Sequence, residues 1–599
     1  MLATVLCVVT ALATPFLVGL PVRLLLRRGG PLDERAWLEA PFVGVAIIVV
    51  ALQNLVYLNV PVRQSTPWFW LAVSLLWLAV RPWREWTAWW RNCPRAMLAA
   101  YVGVYLIQGL GLLLLGAPSY LGNWMSDQFN YTATAEFLTD CPFSTTADQI
   151  GPRPYLLHAL VFKDDRIGQS ILQGFLAVSS GQEVLATYEA TSLLGPTLLV
   201  IPLYWLAHGL GRPRRSALLI GLTAGLLPAV TQLHLEGFLS QTLVVPFAFA
   251  LLVTFQRALV VISFERALVV MLIMACAASF YPEFLPIMAG LLLVLVVGNG
   301  LAGRSWKSAV ALAVAVLAAP ALLDPLSIPH QPPAFERYSV TLFPEYFHSR
   351  LPVLPELVWM GEEFRPLGWR YGVRGVATLL TALGVICLFG LGVRQWQRGW
   401  RRPGFLLTLG VLSVATLPLL ALVRQPHNSY PIYKLTLTCG PLLVLALGAM
   451  LPRLLPGVLL LGTTGTILTQ YESAWHRHTP YPHVRSLLAE DFCSAAEQLR
   501  QLEPSDVFLV VQRLNHGRWL SYYGRHHRMW LLPTGKGDGF PHDATPPAGA
   551  PIYLLCEDPL WSVRNPTAEG TLLATHGRFS LWQYRSVSAL RVSLGFTRE

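Results

Sequence analysis

The sequence predicts an α-helical polytopic membrane protein with about 14 transmembrane helices and a C-terminal extracytoplasmic α/β domain. Three observations carry that prediction. Of 599 residues, 54% are hydrophobic and only 13% charged, with mean hydropathy +0.49, whereas soluble domains carry about 25% charged residues. Apolar runs of spanning length recur along the chain, broken by short Arg-rich hinges. From residue 475 to 599 the chain becomes less apolar and richer in His, Pro and Gly. Together these exclude a soluble enzyme for most of the chain, and they exclude disorder.

The first apolar run is Leu2–Leu26. No positive residue precedes it, and Arg23, Arg27 and Arg28 close it. A cleaved signal peptide carries its charge in front, so the run reads as a retained span with its N-terminus outside. Further spans are expected at Ala40–Val60, Thr66–Val80, Ala96–Gly116, Glu189–Leu210, Ser216–Leu233 and Leu239–Phe255. The series continues through Ala267–Phe280, Leu285–Gly303, Ser308–Leu323, Gly372–Val393, Gly404–Val423, Tyr433–Leu451 and Leu454–Gln470.

The net charge of +11 would point to nucleic acid in a soluble protein. Here it follows the positive-inside rule. The inner hinges hold 19 basic residues, from Arg27, Arg28 and Arg35 to Arg453, with acids such as Asp33, Glu34, Glu85 and Glu265 between them. Two long loops, 117–188 and 324–371, then fall outside with the tail. The expected division is a helical domain over 1–474 and an α/β domain over 475–599. In the tail, Leu487–Leu502 reads as a helix, Asp506–Gln512 as a strand and Asn515–Tyr523 as a short helix. Met529–Leu532, Ile552–Cys556 and Phe579–Tyr584 read as strands. The arginine bias, with only four lysines (Lys163, Lys307, Lys434 and Lys536), and the architecture point to a bacterial inner membrane.

Eight cysteines are scattered without CxxC spacing. Cys7, Cys276, Cys387 and Cys439 lie in apolar runs and read as core residues. Cys141, Cys493 and Cys556 fall outside the membrane, where a Cys493–Cys556 disulfide is permitted but not required by the spacing. The sequence carries no Walker loop, GxGxxG, HExxH or GxSxG. The histidines at 476, 478, 483, 526 and 527 lack zinc-ligand spacing.

The first outer loop is the most informative segment. It runs Gly122-Asn123-Trp124-Met125-Ser126-Asp127-Gln128-Phe129-Asn130-Tyr131. Ser126 reads as a helix N-cap, Asp127 lies in the first turn, and Tyr131 follows one turn later on the same face. A carboxylate at this depth can deprotonate a hydroxyl nucleophile or hold a divalent cation such as Mg or Mn. It also reads simply as a solvated acid that favours the helix dipole.

A long span followed by an outer loop with an early Asp ahead of a short amphipathic helix resembles the GT-C superfamily of integral membrane glycosyltransferases. The amphipathic stretch Gly168-Gln169-Ser170-Ile171-Leu172-Gln173-Gly174 and the outward C-terminal α/β domain extend the resemblance from about Ala96 to the end. The resemblance implies transfer of a sugar from a polyprenyl-phosphate carrier to a glycan, lipid or protein acceptor at the outer membrane face. Asp127 matches the superfamily's outer-loop catalytic base.

Stabilising the departing phosphate needs a cation at the same depth. Arg424, His427 and Lys434 gather in one outer hinge and are, with Tyr131, the expected substrate- and lipid-phosphate-binding residues, although a boundary lysine more often snorkels to the headgroups. Glu236 and Glu283 interrupt short outer hinges, where they can bind metal, acceptor or sugar hydroxyls or be merely hydrated. Glu236 is taken with Asp127 as catalytic, and Glu283 is a further candidate. Asp164-Asp165 reads as a solvated pair. A transporter or lipid flippase, and a polysaccharide polymerase or ligase, are the competing readings. Acids that gather at outer hinges rather than in mid-span favour the enzyme over the carrier.

Overall fold

The structure is a computed structural model of the full chain. It describes residues 1–27, 33–80, 91–117, 126–163, 166–235, 237–330, 370–397, 429–476, 490–511, 514–532, 551–557, 570–577, 579–586 and 588–590. These form two compact units. One comprises 1–122, 138–143 and 164–472, and the other 123–137, 144–163 and 473–599.

The first unit is helical. Its elements are α1 (Leu2–Leu26), α2 (Glu34–Tyr57), α3 (Val62–Val80) and α4 (Arg95–Gln108). Helices α5 (Ser126–Asp140) and α6 (Pro154–Phe162) come next in the chain but belong to the second unit, apart from residues 138–140 at the end of α5. Then come α7 (Gly168–Ser180), α8 (Val184–Ser192), α9 (Leu194–Gly209), α10 (Arg214–Gly225), α11 (Pro228–Leu235) and α12 (Leu239–Val260). Helices α13 (Phe264–Phe280), α14 (Leu285–Leu301), α15 (Trp306–Leu317), α16 (Arg370–Gln397), α17 (Ser429–Met450) and α18 (Leu455–His476) complete the unit.

A helix covers each expected span except Gly404–Val423, which lies outside the described residues. Among the described residues, six helices are long and apolar enough to cross a bilayer, or up to eight when bent pairs count as single spans. The chain is therefore a multi-pass membrane protein. The count is below 14 because several expected spans are short or broken. Ser216–Leu233 is a pair, α10 and α11, bent by 41°. Leu226 and Leu227 leave the helix there and Pro228, which has no N–H to continue the ladder, starts the next one. Trp68, Leu71, Leu75 and Leu78 make an exposed apolar stripe down α3, as a lipid-facing surface requires.

Close packing of α1 on α2 rests on two glycines. A Cβ on Gly19 would lie 1.8 Å from the Ala40 carbonyl oxygen, and one on Gly44 would lie 1.9 Å from that of Pro15. Both contacts are to backbone, so nothing flexible can give way, and small residues at a crossing are how membrane helices approach closely. Gly44→Val is expected to cost about 1–3 kcal/mol or more. A clear fall in the melting temperature of the detergent-purified chain checks it; an unchanged melting temperature would refute the tight crossing.

The Arg-rich hinges fold into ion pairs. Arg23, buried in α1, meets Glu39 at 2.9 Å and Glu265 at 2.6 Å, and Arg35 also holds Glu39 at 2.6 Å. Arg27 pairs with Asp33 at 2.9 Å, and Arg214 with Glu34 at 2.8 Å. Of the acids expected among inner positive charges, Asp33, Glu34 and Glu265 are thus engaged by arginines, and Glu85 lies outside the described residues.

The second unit contains a mixed five-stranded sheet in the order β2-β1-β3-β5-β4. Its strands are β1 (Asp506–Val510), β2 (Arg528–Leu532), β3 (Ile552–Glu557), β4 (Gly570–His576) and β5 (Phe579–Tyr584). Its helices α19 (Glu490–Gln501) and α20 (Leu514–Tyr523) precede and follow β1. Strand β1 is parallel to both neighbours, Val507 standing opposite Met529 and Tyr553. A central parallel strand is covered on both faces, which is why Val507-Phe508-Leu509-Val510 is continuously apolar. Phe508 stacks on Trp530 at 4.8 Å in the core of one face.

The tail helices and strands lie within a few residues of their expected positions, but β4 was not foreseen. It is an edge strand with a largely exposed face, so it lacks the apolar pattern that marks a buried strand. Gly577, at φ 54°, turns the chain from β4 into β5 and is the signal that marks the hairpin. The permitted Cys493–Cys556 disulfide is not formed. Cys493 lies on α19 and Cys556 is buried in the sheet core, and neither is in a disulfide.

Candidate functional site

Helix α5 and the C-terminal domain build the surroundings of Asp127 within the second unit. Asp127 is the half-buried first-turn acid of α5, where the helix dipole favours a negative charge. Rather than being amphipathic, α5 is buried on nearly all sides: Gln128, Phe129, Thr132, Ala133, Phe137 and Thr139 are each 0% exposed. A helix of such low hydrophobicity reads from sequence as a surface element, and its burial sets Asp127 in a shielded position.

Arg518 of α20 lies within electrostatic reach of Asp127. Burial pushes the guanidinium's pKa down, and the Asp127 carboxylate opposes that shift. The neighbouring Trp519 packs edge-on against Phe129 at 5.3 Å. His158 of α6 is hydrogen-bonded to Asn130 at 2.6 Å, with its ring against Phe129 and Phe162. Burial, followed by the positive field of Arg518, lowers the His158 pKa to about 4. One turn-and-a-half further along α5, Glu136 accepts a hydrogen bond from the Tyr522 hydroxyl at 3.2 Å and pairs with Arg525 at 3.5 Å. Met529 donates its N–H to the Pro152 carbonyl at 2.8 Å, tying the segment before α6 to the edge strand β2.

Arg518, His158, Glu136, Tyr522 and Arg525 were absent from the expected site. They lie on segments separated from Asp127 by up to four hundred residues, and no spacing rule links them. The amphipathic pattern of α20, with Arg518 beside Trp519, is the only local signal.

A second histidine of this unit is held in one tautomer. His527 Nε2 donates to the Leu499 carbonyl at 2.8 Å, while Nδ1 accepts from the Ser505 N–H at 3.2 Å. Burial lowers its pKa to about 4. In the unfolded chain both histidines take up a proton near pH 6.5. Between pH 6.5 and about 4 the unfolded chain therefore binds more protons, and stability falls as pH falls through that window. His527→Gln is expected to flatten the pH dependence of melting there; an unaltered pH profile would remove His527 from this role.

The helical unit carries two polar clusters of its own. In one, Glu189 Oε1 accepts from His234 Nδ1 at 2.7 Å, and both side chains are buried. His234 Nε2 sits 3.2 Å from Gln108 Oε1 and 3.2 Å from Gln470 Nε2. With Nδ1 donating to Glu189, the Nε2 atom is the acceptor that faces the Gln470 amide. In the other cluster, Glu283 lies 3.8 Å from Arg166, whose guanidinium stands 4.7 Å over the Tyr281 ring. Nearby, Ser279 donates to the Asp324 carboxylate at 3.5 Å, and burial lifts the Asp324 pKa to about 7.

Of the expected residues, Asp127 and Tyr131 stand one turn apart on α5, both half-buried. Glu283 falls in the Arg166 cluster. Lys434 lies in the first turns of α17. Glu236, Arg424 and His427 lie outside the described residues. Helix α7, which bears the stretch from Gly168 to Gly174, is buried through the whole of that stretch. Among the described residues no three His, Cys, Asp or Glu side chains gather where they could hold a metal ion.

No protein-family model matches the chain, and no curated protein sequence does. Among solved structures, the chain is similar to the crystal structure of ArnT from Cupriavidus metallidurans bound to undecaprenyl phosphate, at 15% identity and a TM-score of 0.40, over 81% of this chain and 98% of that one.

Proposed function

We propose that the chain is a membrane glycosyltransferase that moves a sugar from a polyprenyl-phosphate carrier to an acceptor hydroxyl or amide at the outer membrane face. The observation that carries this reading is a shielded carboxylate, Asp127, in the first turn of a buried polar helix and within reach of the Arg518 guanidinium, in a multi-pass chain.

In this reading Asp127 takes the acceptor's proton as the acceptor attacks the anomeric carbon. The bond from that carbon to the phosphate oxygen breaks, and its electron pair leaves with the polyprenyl phosphate. Arg518 supplies positive charge beside the base, with Lys434, Arg424 and His427 as further phosphate ligands. Tyr131 and Glu236 orient sugar or acceptor hydroxyls, and Glu283 does so through its own cluster. No step is routed through a metal.

The test feeds a polyprenyl-phosphate sugar to the full chain in lipid nanodiscs. Free polyprenyl phosphate should appear in step with sugar transfer, while a soluble nucleotide sugar is left unconsumed. Failure to consume any lipid-linked donor would sink the proposal.

One observation favours the carrier reading. The buried Glu189–His234 pair is the type of ionisable group that transporters place inside their bundles. Translocation of the lipid-linked sugar without cleavage would support that reading.

A further inference from the structure

The Arg-rich end of the helical unit holds a cavity of about 580 Å³ where α2, α4 and α10 begin. Arg91, Asn92 and Arg95 line it from the start of α4, and Arg214 and Arg215 from the start of α10. Tyr204 and the acids Asp33 and Glu34 form a further part of the wall.

The acids are already engaged. Asp33 caps α2 by accepting from the Ala36 N–H at 2.8 Å and pairs with Arg27. Glu34 accepts from the Tyr204 hydroxyl at 2.7 Å and pairs with Arg214. Arg91, Arg95 and Arg215 have no ion pair among the described residues. Helix α4 after Pro94 and α10 after Pro213 also have no side-chain cap. Both carry arginines in their first turns, where the helix dipole is itself positive. Topology alone explains positive charge on this side of the membrane. It does not explain why cations converge on one cavity and against two uncapped N-termini.

We propose that this cavity binds a phosphate-bearing anion. An anion here would receive charge-assisted hydrogen bonds from Arg91, Arg95 and Arg215 and satisfy the first amides of α10, whereas in α4 the Arg95 and Met97 amides already donate to the Cys93 and Pro94 carbonyls. The cavity lies within the about 300–1,000 Å³ typical of small-molecule pockets. It has room for the headgroup or sugar that bears the phosphate, with Asn92 beside it to donate or accept. Two sources share this chemistry: an anionic phospholipid of the adjoining leaflet and a soluble phosphate ester or pyrophosphate.

The experiment uses the full chain purified in detergent and stripped of lipid. One arm titrates inorganic pyrophosphate and follows the melting temperature. The other titrates phosphatidylglycerol, with phosphatidylcholine as the zwitterionic control, and counts bound lipid by native mass spectrometry. The wild type should bind at least one anion, and Arg95→Gln/Arg215→Gln should weaken it about tenfold to a hundredfold. The variant's unliganded melting temperature should not fall, because both changes remove charge that opposes a helix dipole. Binding of phosphatidylglycerol alone assigns a lipid ligand, and binding of pyrophosphate alone a soluble one. If the double variant fails to fold, Arg215→Gln by itself should weaken binding about tenfold. Equal affinity in wild type and variant, or no binding of either anion to the wild type, would overturn the proposal.

Discussion

Asp127→Asn is expected to lower sugar transfer by about a hundredfold to ten-thousandfold while leaving the chain folded and inserted. Asn keeps the size and most of the hydrogen bonding of Asp, but it cannot take a proton from an acceptor. Asp127 sits at an N-terminal turn where either residue is well tolerated. A loss of activity with an unchanged melting temperature would therefore report chemistry rather than folding. The proposed role also divides the kinetic constants. Donor binding rests on cations such as Arg518, so the loss should fall on kcat with little change in the donor's KM. Arg518→Met should do the reverse in part and raise KM. A variant at position 127 that turns over at the wild-type rate would remove this residue from the mechanism.

The second large effect concerns stability. Glu39→Leu is expected to cost about 3–5 kcal/mol, because it strips a partner from a buried guanidinium. Arg23 is 1% exposed and Glu39 0%. With Glu39 gone, Arg23 keeps only Glu265 among the described residues, and that side chain is 30% exposed. Arg35 also loses its partner. Removing both ends of the pair should be less damaging than removing one. Arg23→Met/Glu39→Leu is therefore expected to recover part of the melting temperature lost by Glu39→Leu alone. A double variant less stable than the single would contradict the account of Arg23 as a buried charge held by acids.

Sequence and structure agree where a single physical force acts locally. The spans were legible because each is an apolar run with a basic residue at its expected inner end, as Leu2–Leu26 has Arg23, Arg27 and Arg28. Their interruptions were not. The bend at Pro228 falls inside apolar sequence, and so does the break at Leu193 between α8 and α9. Neither changes the hydropathy that defines a span. In the C-terminal domain, β1 announced itself through burial on both faces, whereas the exposed edge strand β4 did not.

The candidate site was legible only in its first residue. Asp127 could be found because an early acid opens a helix after a long span. Arg518 and His158 could not be, since tertiary packing alone brings them beside α5. The Glu189–His234 pair was hidden for the same reason. Glu189 opens an expected span, His234 ends a separate helix, and only the fold joins them through 2.7 Å. The polar character of α5 was legible but misleading. Gln128, Thr132 and Thr139 suggest a solvated face, and all three are buried.

The most direct test of the central claim is single-turnover release of polyprenyl phosphate from a polyprenyl-phosphate sugar, measured in matched nanodiscs carrying wild type or Asp127→Asn. The account predicts release by the wild type and less than about a hundredth of that rate from the variant. Equal rates from the two proteins would contradict it.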